Sequence, residues 1–378
     1  MKIGIAMVGC GYAADFYMAN LPNHPELDLV GVYDRNAERL RAFCAHHGAR
    51  SFNSLTDLID DANVGLVLNL TNPAEHSRVS LAALERRHVY SEKPFAMNLE
   101  EGRHLVDMAQ RNGFQLASAP CSLLGEPAQT AWAALRKGEI GRPLLVFAEL
   151  HEGMTHKMLH SRWISASGAV WPFQDEFQTG CTLEHGAYVL TWLTAFFGRI
   201  ESVTANAYVL APDKHAGEKL GPDFSCAVVK FATGVVARIT LSIIAPIDHG
   251  LMIVGEEGVL EVADVWDLDS PISIRRREDP KTNKPSRYLT DKRNYPLLHG
   301  SERRFRYHDS HNMDLMRGVA ELAHAIISGK PSRLSADRAL HILEATLAMS
   351  NTQGLEICHQ METPFEPVEP MPWAQSKF

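Results

Sequence analysis

With 378 residues the chain is too long for one ordinary hydrophobic core, so two domains are the default expectation. Hydrophobic residues make up 45% and charged residues 22%, ordinary values for a soluble globular protein. The net charge of −8 argues against non-specific binding to nucleic acid or to an anionic membrane surface.

Six cysteines (Cys10, Cys44, Cys121, Cys181, Cys226 and Cys358) are scattered without CxxC spacing. Reduced thiols account for them more simply than a zinc site or a disulfide framework. The N-terminal apolar run breaks at Gly9, too early for a signal segment or a membrane span, so the chain reads as cytoplasmic.

The first element is Lys2 to Val8, a short apolar run that suits a buried strand. It runs into Gly9-Cys10-Gly11-Tyr12-Ala13-Ala14, followed by a helical stretch to about Leu21. This is a dinucleotide fingerprint with alanine in the third small position. Gly9 permits the tight turn, Gly11 admits a pyrophosphate close to the backbone, and Ala14 keeps helix and strand together. The free N–H groups of the helix N-terminus would then face the phosphates.

The next strand, Leu27 to Tyr33, ends at Asp34, 23 residues beyond Gly11. An acidic residue there can accept hydrogen bonds from a ribose 2′-hydroxyl and repel a 2′-phosphate, which favours NAD over NADP. Arg35 beside it offers a cation to a phosphate or a plane to the adenine. The alternative for Asp34 is a helix N-cap.

A helix over Arg39–His47 leads to Ser51-Phe52 and a capped helix from Thr56. Strands follow at Val64–Leu70, Val89-Tyr90 and Gln115–Ala119, separated by helices at Ser77–Arg87 and around Leu99–Ala109. Strand and helix alternate six times in about 120 residues, as in a parallel, doubly wound sheet. The strand at Val89-Tyr90 ends in Ser91-Glu92-Lys93-Pro94. Lys93 is singled out because the C-terminal ends of such strands point at ligands, although a solvated loop lysine is the plainer reading of these residues alone.

The second half reads differently. A helix around Gln129–Lys137 precedes a strand at Leu144–Leu150. β-rich stretches follow at Ser202–Leu210, Cys226–Phe231, Val235–Ile244 and Val259–Val262, as in an antiparallel or mixed sheet. Composition shifts near Ser122, which places an expected boundary between domains 1–121 and 122–378. The tail from Met361 carries four prolines and should be irregular.

The order GCGYAA, Asp34, Thr71-Asn72-Pro73-Ala74-Glu75-His76-Ser77 and Ser91-Glu92-Lys93-Pro94 resembles the glucose-fructose oxidoreductase / inositol dehydrogenase (Gfo/Idh/MocA) family. The run from Gly318 to Ala345 is similar to the family's closing helices, so the resemblance covers nearly the whole chain. It implies an α/β protein: a Rossmann domain with a doubly wound parallel sheet, then an α/β domain on a large open, mostly antiparallel sheet for substrate binding and oligomerisation. It also implies that Lys93 sits beside the nicotinamide and the reacting hydroxyl. Thr71, Asn72, Pro73, His76 and Glu92 would line the cofactor with Gly9, Gly11, Tyr12, Ala13, Ala14, Asp34 and Arg35.

Within Gly180–Leu193, Glu184, Tyr188 and Thr191 are spaced i, i+4, i+7 and should share one helix face, with His185 on its flank. The family commonly carries Asp, His and Asp at those three positions, with the histidine as general acid/base. Here the histidine is absent; some members use tyrosine there, which implies that role for Tyr188. A neighbouring Lys93 would lower the tyrosine pKa and favour its phenolate. Glu184 could orient Lys93 or a substrate hydroxyl, and His185 could contact substrate.

Three weaker signals remain. His151, Glu152, His156 and His160 lack the HExxH spacing of a zinc site, so no metal is expected, and a substrate loop with Arg162 and Trp163 suits them better. Trp171-Pro172-Phe173 could wall a sugar ring or pack in a core. Residues 275–308 hold eleven Lys/Arg against four Asp/Glu, a solvated loop or a device for an anionic substrate.

The expected activity is NAD(H)-dependent hydride transfer at a hydroxyl-bearing carbon of a sugar, cyclitol or related polyol, in a homodimer or homotetramer. One alternative is a glycoside hydrolase that retains NAD and cleaves by transient oxidation. The other is a sugar- or NAD-sensing regulatory protein, a class of relative that tends to lose the lysine retained here as Lys93.

Overall fold

The apolar runs of the first third form a parallel sheet of five strands: β1 (Ile3–Val8), β2 (Leu27–Tyr33), β3 (Leu66–Asn69), β4 (His88–Ser91) and β5 (Leu116–Ser118). Their order is β2-β1-β3-β4-β5, and every pairing is parallel. The computed structural model describes residues 2–214, 219–278, 288–300, 306–307, 311–351 and 358–375.

Between the strands run α1 (Tyr12–Asn20), α2 (Ala37–His47), α3 (Leu55–Asp60), α4 (His76–Leu84) and α5 (Leu99–Asn112). The sequence alternation counted as six is five regular strands; Ser51 contributes only an isolated parallel bridge to Val32. Side chains alternate between faces, so both sides of the sheet are cores. Ile5, Met7, Leu68 and Tyr90 pack on one face; Ala6, Val8, Val67 and Val89 pack on the other.

A second sheet follows α6 (Glu126–Arg136). Its strands are β6 (Pro143–His151), β7 (Ile200–Tyr208), β8 (Phe224–Phe231), β9 (Val236–Ser242), β10 (Leu251–Gly255), β11 (Gly258–Val262), β12 (Ile272–Arg276), β13 (Arg293–Tyr295) and β16 (Cys358–Gln360). A short hairpin of β14 (Arg306–Tyr307) and β15 (His311–Asn312) lies outside it. The order is β13-β12-β11-β10-β6-β9-β8-β7-β16, antiparallel everywhere except between β6 and β9.

The sequence pattern marks none of β10, β12, β13, β14, β15 and β16. β12 and β13 fall in or beside the basic segment, where the pattern suggests a solvated loop or a device for an anionic substrate. Arg275 pairs with Glu261 at 2.8 Å, Lys292 with Glu261 at 2.9 Å, and Arg276 with Glu139, so three of the eleven cations are engaged by two carboxylates along a sheet edge. Residues 279–287, 301–305 and 308–310 of the segment lie outside the described residues.

One face of the large sheet is covered by α8 (Cys181–Phe197), which follows α7 (Phe173–Thr179) after a break at Gly180, φ +87°. Leu190, Leu193 and Phe197 of α8 join Val203, Val229, Ile239 and Ile253 in that core. The closing helices α9 (Met316–Ser328) and α10 (Ala336–Ser350) return to the first sheet. Met316 and Val319 pack on the Tyr90 face, and Leu340, Leu343 and Leu347 on the Val89 face. Ile342 and Ala345 of α10 also reach the core under α8, so α10 is wedged between the two sheets. The proline-bearing tail is irregular up to a short turn at Pro372–Ala374 and is tied down: Met371 N–H donates to Gln129 Oε1 at 2.8 Å. The six cysteines are unpaired, and no described helix is long and apolar enough to cross a membrane.

Candidate active site

A cleft of about 1050 Å³ runs from the C-terminal ends of the parallel strands to the second sheet. At its first end, Gly9 takes φ +99° and donates its N–H to Tyr33 O at 2.8 Å. A Cβ there would sit 2.6 Å from Leu70 O, so only glycine fits the turn. Gly11 is the N-cap of α1 without any side-chain cap, and nothing lies within 4 Å of where its Cβ would be. The N-terminus of α1, which no side chain caps, therefore faces open space in the cleft. Tyr12 and Ala13 line the same cleft, whereas Ala14 is fully buried and packs helix against strand.

Asp34 closes β2 and lines the cleft. Its Oδ2 accepts Cys10 N–H at 2.9 Å and its Oδ1 accepts Asn36 N–H at 2.7 Å. The cap of α2 is Asn36, whose side chain accepts from the N–H groups of Glu38 and Arg39, so the N-cap alternative for Asp34 falls away. Arg35 is exposed and bound to Glu75 at 2.9 Å, and Arg39 reaches to 3.5 Å from Asp34.

Thr71, Asn72, Pro73 and His76 form the next part of the wall. Asn72 Nδ2 donates to Asp175 Oδ2 at 2.9 Å, linking this loop to α7. His76 is buried with both ring nitrogens 2.8 Å from backbone carbonyl oxygens, those of Pro94 and Thr71. Its imidazole is thus engaged in holding two loops together. Glu92 does similar work: it accepts the Tyr17 hydroxyl at 2.6 Å and the Lys93 N–H at 2.9 Å.

The far end of the cleft gathers Lys93, Glu184, His185 and Tyr188. Lys93 Nζ lies 2.5 Å from Glu184 Oε2, with the side chains only 13% and 3% exposed. Burial alone would lower the Lys93 pKa, but Glu184 and its acidic neighbours hold it well above the usual lysine value, so the ammonium persists. For Tyr188 the balance runs against the sequence expectation. Burial pushes its phenol well above the ordinary tyrosine value despite the pull of Lys93. Tyr188 is a neutral hydroxyl at physiological pH, not a phenolate. His185 goes the other way: burial, then the charges of Lys93 and His249, hold it well below 6.5, as neutral imidazole.

Two acids that sequence reasoning did not place in the catalytic group complete this end. Glu152 follows β6, and burial raises it to about 7 against the pull of His249 and Lys93. Glu176 of α7 is raised to about 8 by burial and then by Glu184. The break at Gly180 folds α7 back on α8 and brings Glu176 beside Glu184; the glycine that closes PFQDEFQTG is the sequence signal for such a break. Glu152 Oε1, Glu184 Oε1 and His185 Nδ1 are buried with no hydrogen-bond partner among the described residues.

Of the candidates named in the histidine-rich stretch, Glu152 and Trp163 line the cleft, with Thr155 and Met158 between them. His151 pairs with Glu149 at 3.2 Å, and His160 stacks on Phe173 with centroids 5.3 Å apart. His156 and Arg162 are not among the lining residues. Trp171 and Pro172 do line it, while Phe173 packs on the core. Thr191, grouped by spacing with Glu184 and Tyr188, turns to a separate small cavity beside Arg338 of α10. No described residue of 275–308 lines the cleft.

Residues 3–119 match the model of an oxidoreductase family with an NAD-binding Rossmann fold, and residues 128–261 match the GFO/IDH/MocA C-terminal domain. The chain belongs to the GFO/IDH/MocA family.

Among GFO/IDH/MocA relatives, scyllo-inositol 2-dehydrogenase (NADP(+)) IolU of Bacillus subtilis is 26% identical over 281 residues, 73% of this chain and 80% of that one. Glucose-6-phosphate 3-dehydrogenase of Bacillus subtilis is 36% identical over 110 residues, 29% of this chain and 31% of that one. Among solved structures, aldose-aldose oxidoreductase from Caulobacter crescentus, complexed with glycerol, superposes with TM-score 0.74 at 17% identity, over 96% of this chain and 100% of that one. The WlbA dehydrogenase of Bordetella pertussis, with NADH and UDP-GlcNAcA, gives 0.71 at 18% identity, over 96% and 98%. At such identities the superpositions establish the fold alone. The family assignment makes this an oxidoreductase with an NAD(P)-binding Rossmann fold.

Proposed function

We propose that the chain is an NAD(H)-dependent dehydrogenase acting on a hydroxyl-bearing carbon of a sugar, cyclitol or related polyol. The observation that carries this reading is the set of unpartnered buried atoms around the Lys93–Glu184 pair: Glu152 Oε1, Glu184 Oε1 and His185 Nδ1. Buried polar atoms without partners are rare, and a polyol would supply hydroxyls to them. Glu92, Glu152, Glu176 and Glu184 stand near a single fixed cation, Lys93; even with Glu152 and Glu176 raised to about 7 and 8, Glu184 already offsets that cation, which favours an uncharged substrate over an anionic one. The aromatic faces of Trp163 and Trp171 suit the apolar side of a ring.

The dinucleotide fits the residues present, because Gly11 leaves open space in front of the uncapped α1 N-terminus. Its nicotinamide, when bound, exchanges hydride with the substrate carbon. NAD is preferred to NADP in this reading because Asp34 stands at the ribose end and Glu75 already engages Arg35.

Lys93 is the group that donates to the reacting oxygen, and Glu184 holds it charged and in place. The neutral imidazole of His185 can accept a proton at physiological pH. Tyr188, a neutral phenol, donates a hydrogen bond and can act as general acid in the reductive direction. In this division residues 1–121 bind the dinucleotide, and residues 122–378 bind substrate and associate as a homodimer or homotetramer. The dehydrogenase and reductase names of the relatives, with Lys93 retained, favour net hydride transfer over glycoside cleavage or sensing.

The test is purified protein assayed against a panel of cyclitols, aldoses and their acids, with NAD and NADP in parallel and light scattering for mass. Stoichiometric NADH with at least one neutral polyol is expected. Glycoside cleavage at catalytic NAD, or binding without reduction across the panel, would sink this reading.

A further inference from the structure

We propose that His249, Asp264 and His311 form a transition-metal site of two imidazoles and one carboxylate at the substrate end of the cleft. The three come from separate parts of the chain: His249 precedes β10, Asp264 follows β11, and His311 lies in β15. Backbone contacts hold the first two in register, through an isolated bridge between His249 and Asp264 and Val265 N–H donating to His249 O at 3.0 Å.

The donor atoms converge. His249 Nδ1 is 3.1 Å and His311 Nε2 is 3.0 Å from the same atom, Asp264 Oδ2, and all three lie within 4.8 Å of one another. Metal–nitrogen and metal–oxygen bonds of about 2.1 Å put ligand atoms about 3.0 Å apart at a right angle and about 3.4 Å apart in a tetrahedral site. The surroundings match what ligands need. Asp264 Oδ1 accepts Trp266 N–H at 2.7 Å, and its own N–H donates to Ser270 Oγ at 2.8 Å, which leaves Oδ2 aimed at the two rings. An imidazole bound through Nδ1 carries its proton on Nε2 and needs an acceptor there. His249 Nε2 faces Glu152 Oε1 at 3.6 Å, nearer than His185 Nε2 at 3.9 Å, and neither His249 Nε2 nor Glu152 Oε1 makes a hydrogen bond among the described residues.

His249 is 3% exposed, while Asp264 and His311 side chains are 23% and 14% exposed. His249 and His311 both line the cleft, so coordination positions would remain open toward a substrate hydroxyl. Two imidazoles and a carboxylate select zinc, manganese, iron, cobalt or nickel over magnesium and calcium. A divalent ion would also offset the local excess of carboxylates. A role in polarising a substrate oxygen rests on the dehydrogenase reading; occupancy of the site does not.

The rival account is two N–H···O hydrogen bonds to one carboxylate oxygen with no ion present. Chelator-treated full-length protein is titrated with Zn²⁺ by calorimetry and with Co²⁺ by visible absorption, alongside His311→Ala, Asp264→Asn, Glu152→Gln and, as a remote control, His46→Ala. We expect one ion per chain, a cobalt spectrum of mixed nitrogen and oxygen ligation, and loss of about tenfold to a hundredfold in affinity for the first three variants. His46→Ala should bind like the parent. No stoichiometric binding, or binding lost only in His46→Ala, overturns the site. If one of the first three variants fails to fold, His46→Ala decides the matter: it breaks the other cluster of two imidazoles and a carboxylate, Asp15, His46 and His47, so a cobalt spectrum that survives it belongs to His249, Asp264 and His311, and one lost with it overturns the site. Tight NAD binding without turnover would refute the dehydrogenase reading and leave the metal result standing.

Discussion

Replacing Glu184 by glutamine should leave Lys93 as an ammonium at the floor of the cleft without its counter-charge. The two groups are 2.5 Å apart and nearly enclosed. At an effective dielectric constant of about 20, unit charges at that distance attract by roughly 7 kcal/mol, much of it offset by the desolvation of both ions. Removing one partner of such a pair costs about 3–5 kcal/mol, because the survivor stays buried and unpaired. We therefore expect Glu184→Gln and Lys93→Met each to destabilise by about 3 kcal/mol or more in urea denaturation followed by tryptophan fluorescence. The double variant Lys93→Met/Glu184→Leu should lose far less than the sum, with a coupling of at least about 2 kcal/mol. Singles that cost under about 1 kcal/mol, or a double that is additive within about 0.5 kcal/mol, would refute the claim that this pair is buried and mutually dependent.

Three further outcomes follow from the same site. Gly11→Val fills open space at ordinary φ, so the fold should hold while NAD affinity falls at least about tenfold, ~1.4 kcal/mol, by calorimetry; unchanged affinity would mean the phosphates lie elsewhere. Glu176 has a folded pKa of about 8 against 4.5 unfolded, so below pH 4.5 it is protonated in both states and stability is lost as pH rises toward 8. The full span would be roughly 5 kcal/mol, and partial exposure of the group reduces it to a few. Glu176→Gln should remove that slope and become steadily more stable than the parent between pH 5 and 8; parallel stability curves would count against the assignment. Tyr188→Phe should lower kcat/KM by about 10²-fold and keep the shape of the pH profile, since burial holds the phenol above the assay range; a vanished limb near neutral pH would show that Tyr188 titrates there after all.

The first sheet was legible because its signals are local. A strand, two glycines and a helix start lie within a dozen residues, and Gly9 answers to a backbone geometry that no other residue type meets as well, while Gly11 keeps open the space before α1. Lys93 was legible for the same reason, as the end of a strand whose neighbours all point one way. The acidic and imidazole groups were not. Glu152, Glu176, His249, Asp264 and His311 meet only through the folding of a nine-stranded sheet and a helix break, and their spacing in sequence carries no period. The ionisation of Tyr188 was misjudged because the sequence showed a neighbouring cation but not the depth of burial that outweighs it. Thr191 satisfied the helical spacing yet faces α10, since one turn of helix is enough to leave the cleft.

The return of α9 and α10 to the parallel sheet bears on how the protein is made. A hydrogen at Gly318 lets α9 press against β4 so closely that a Cβ would collide with the Tyr90 hydroxyl at 2.1 Å. Leu340 and Leu343 of α10 close the opposite face. During synthesis the first 120 residues emerge with all five strands but without either cover, and some two hundred further residues must be translated before Met316 arrives. At roughly 5–20 residues per second that is an interval of about ten seconds or more in which Tyr90 and its apolar neighbours lack the cover of Met316 and Val319, the kind of nascent surface that chaperones recognise. The dinucleotide half is thus first to be built and among the last to be finished.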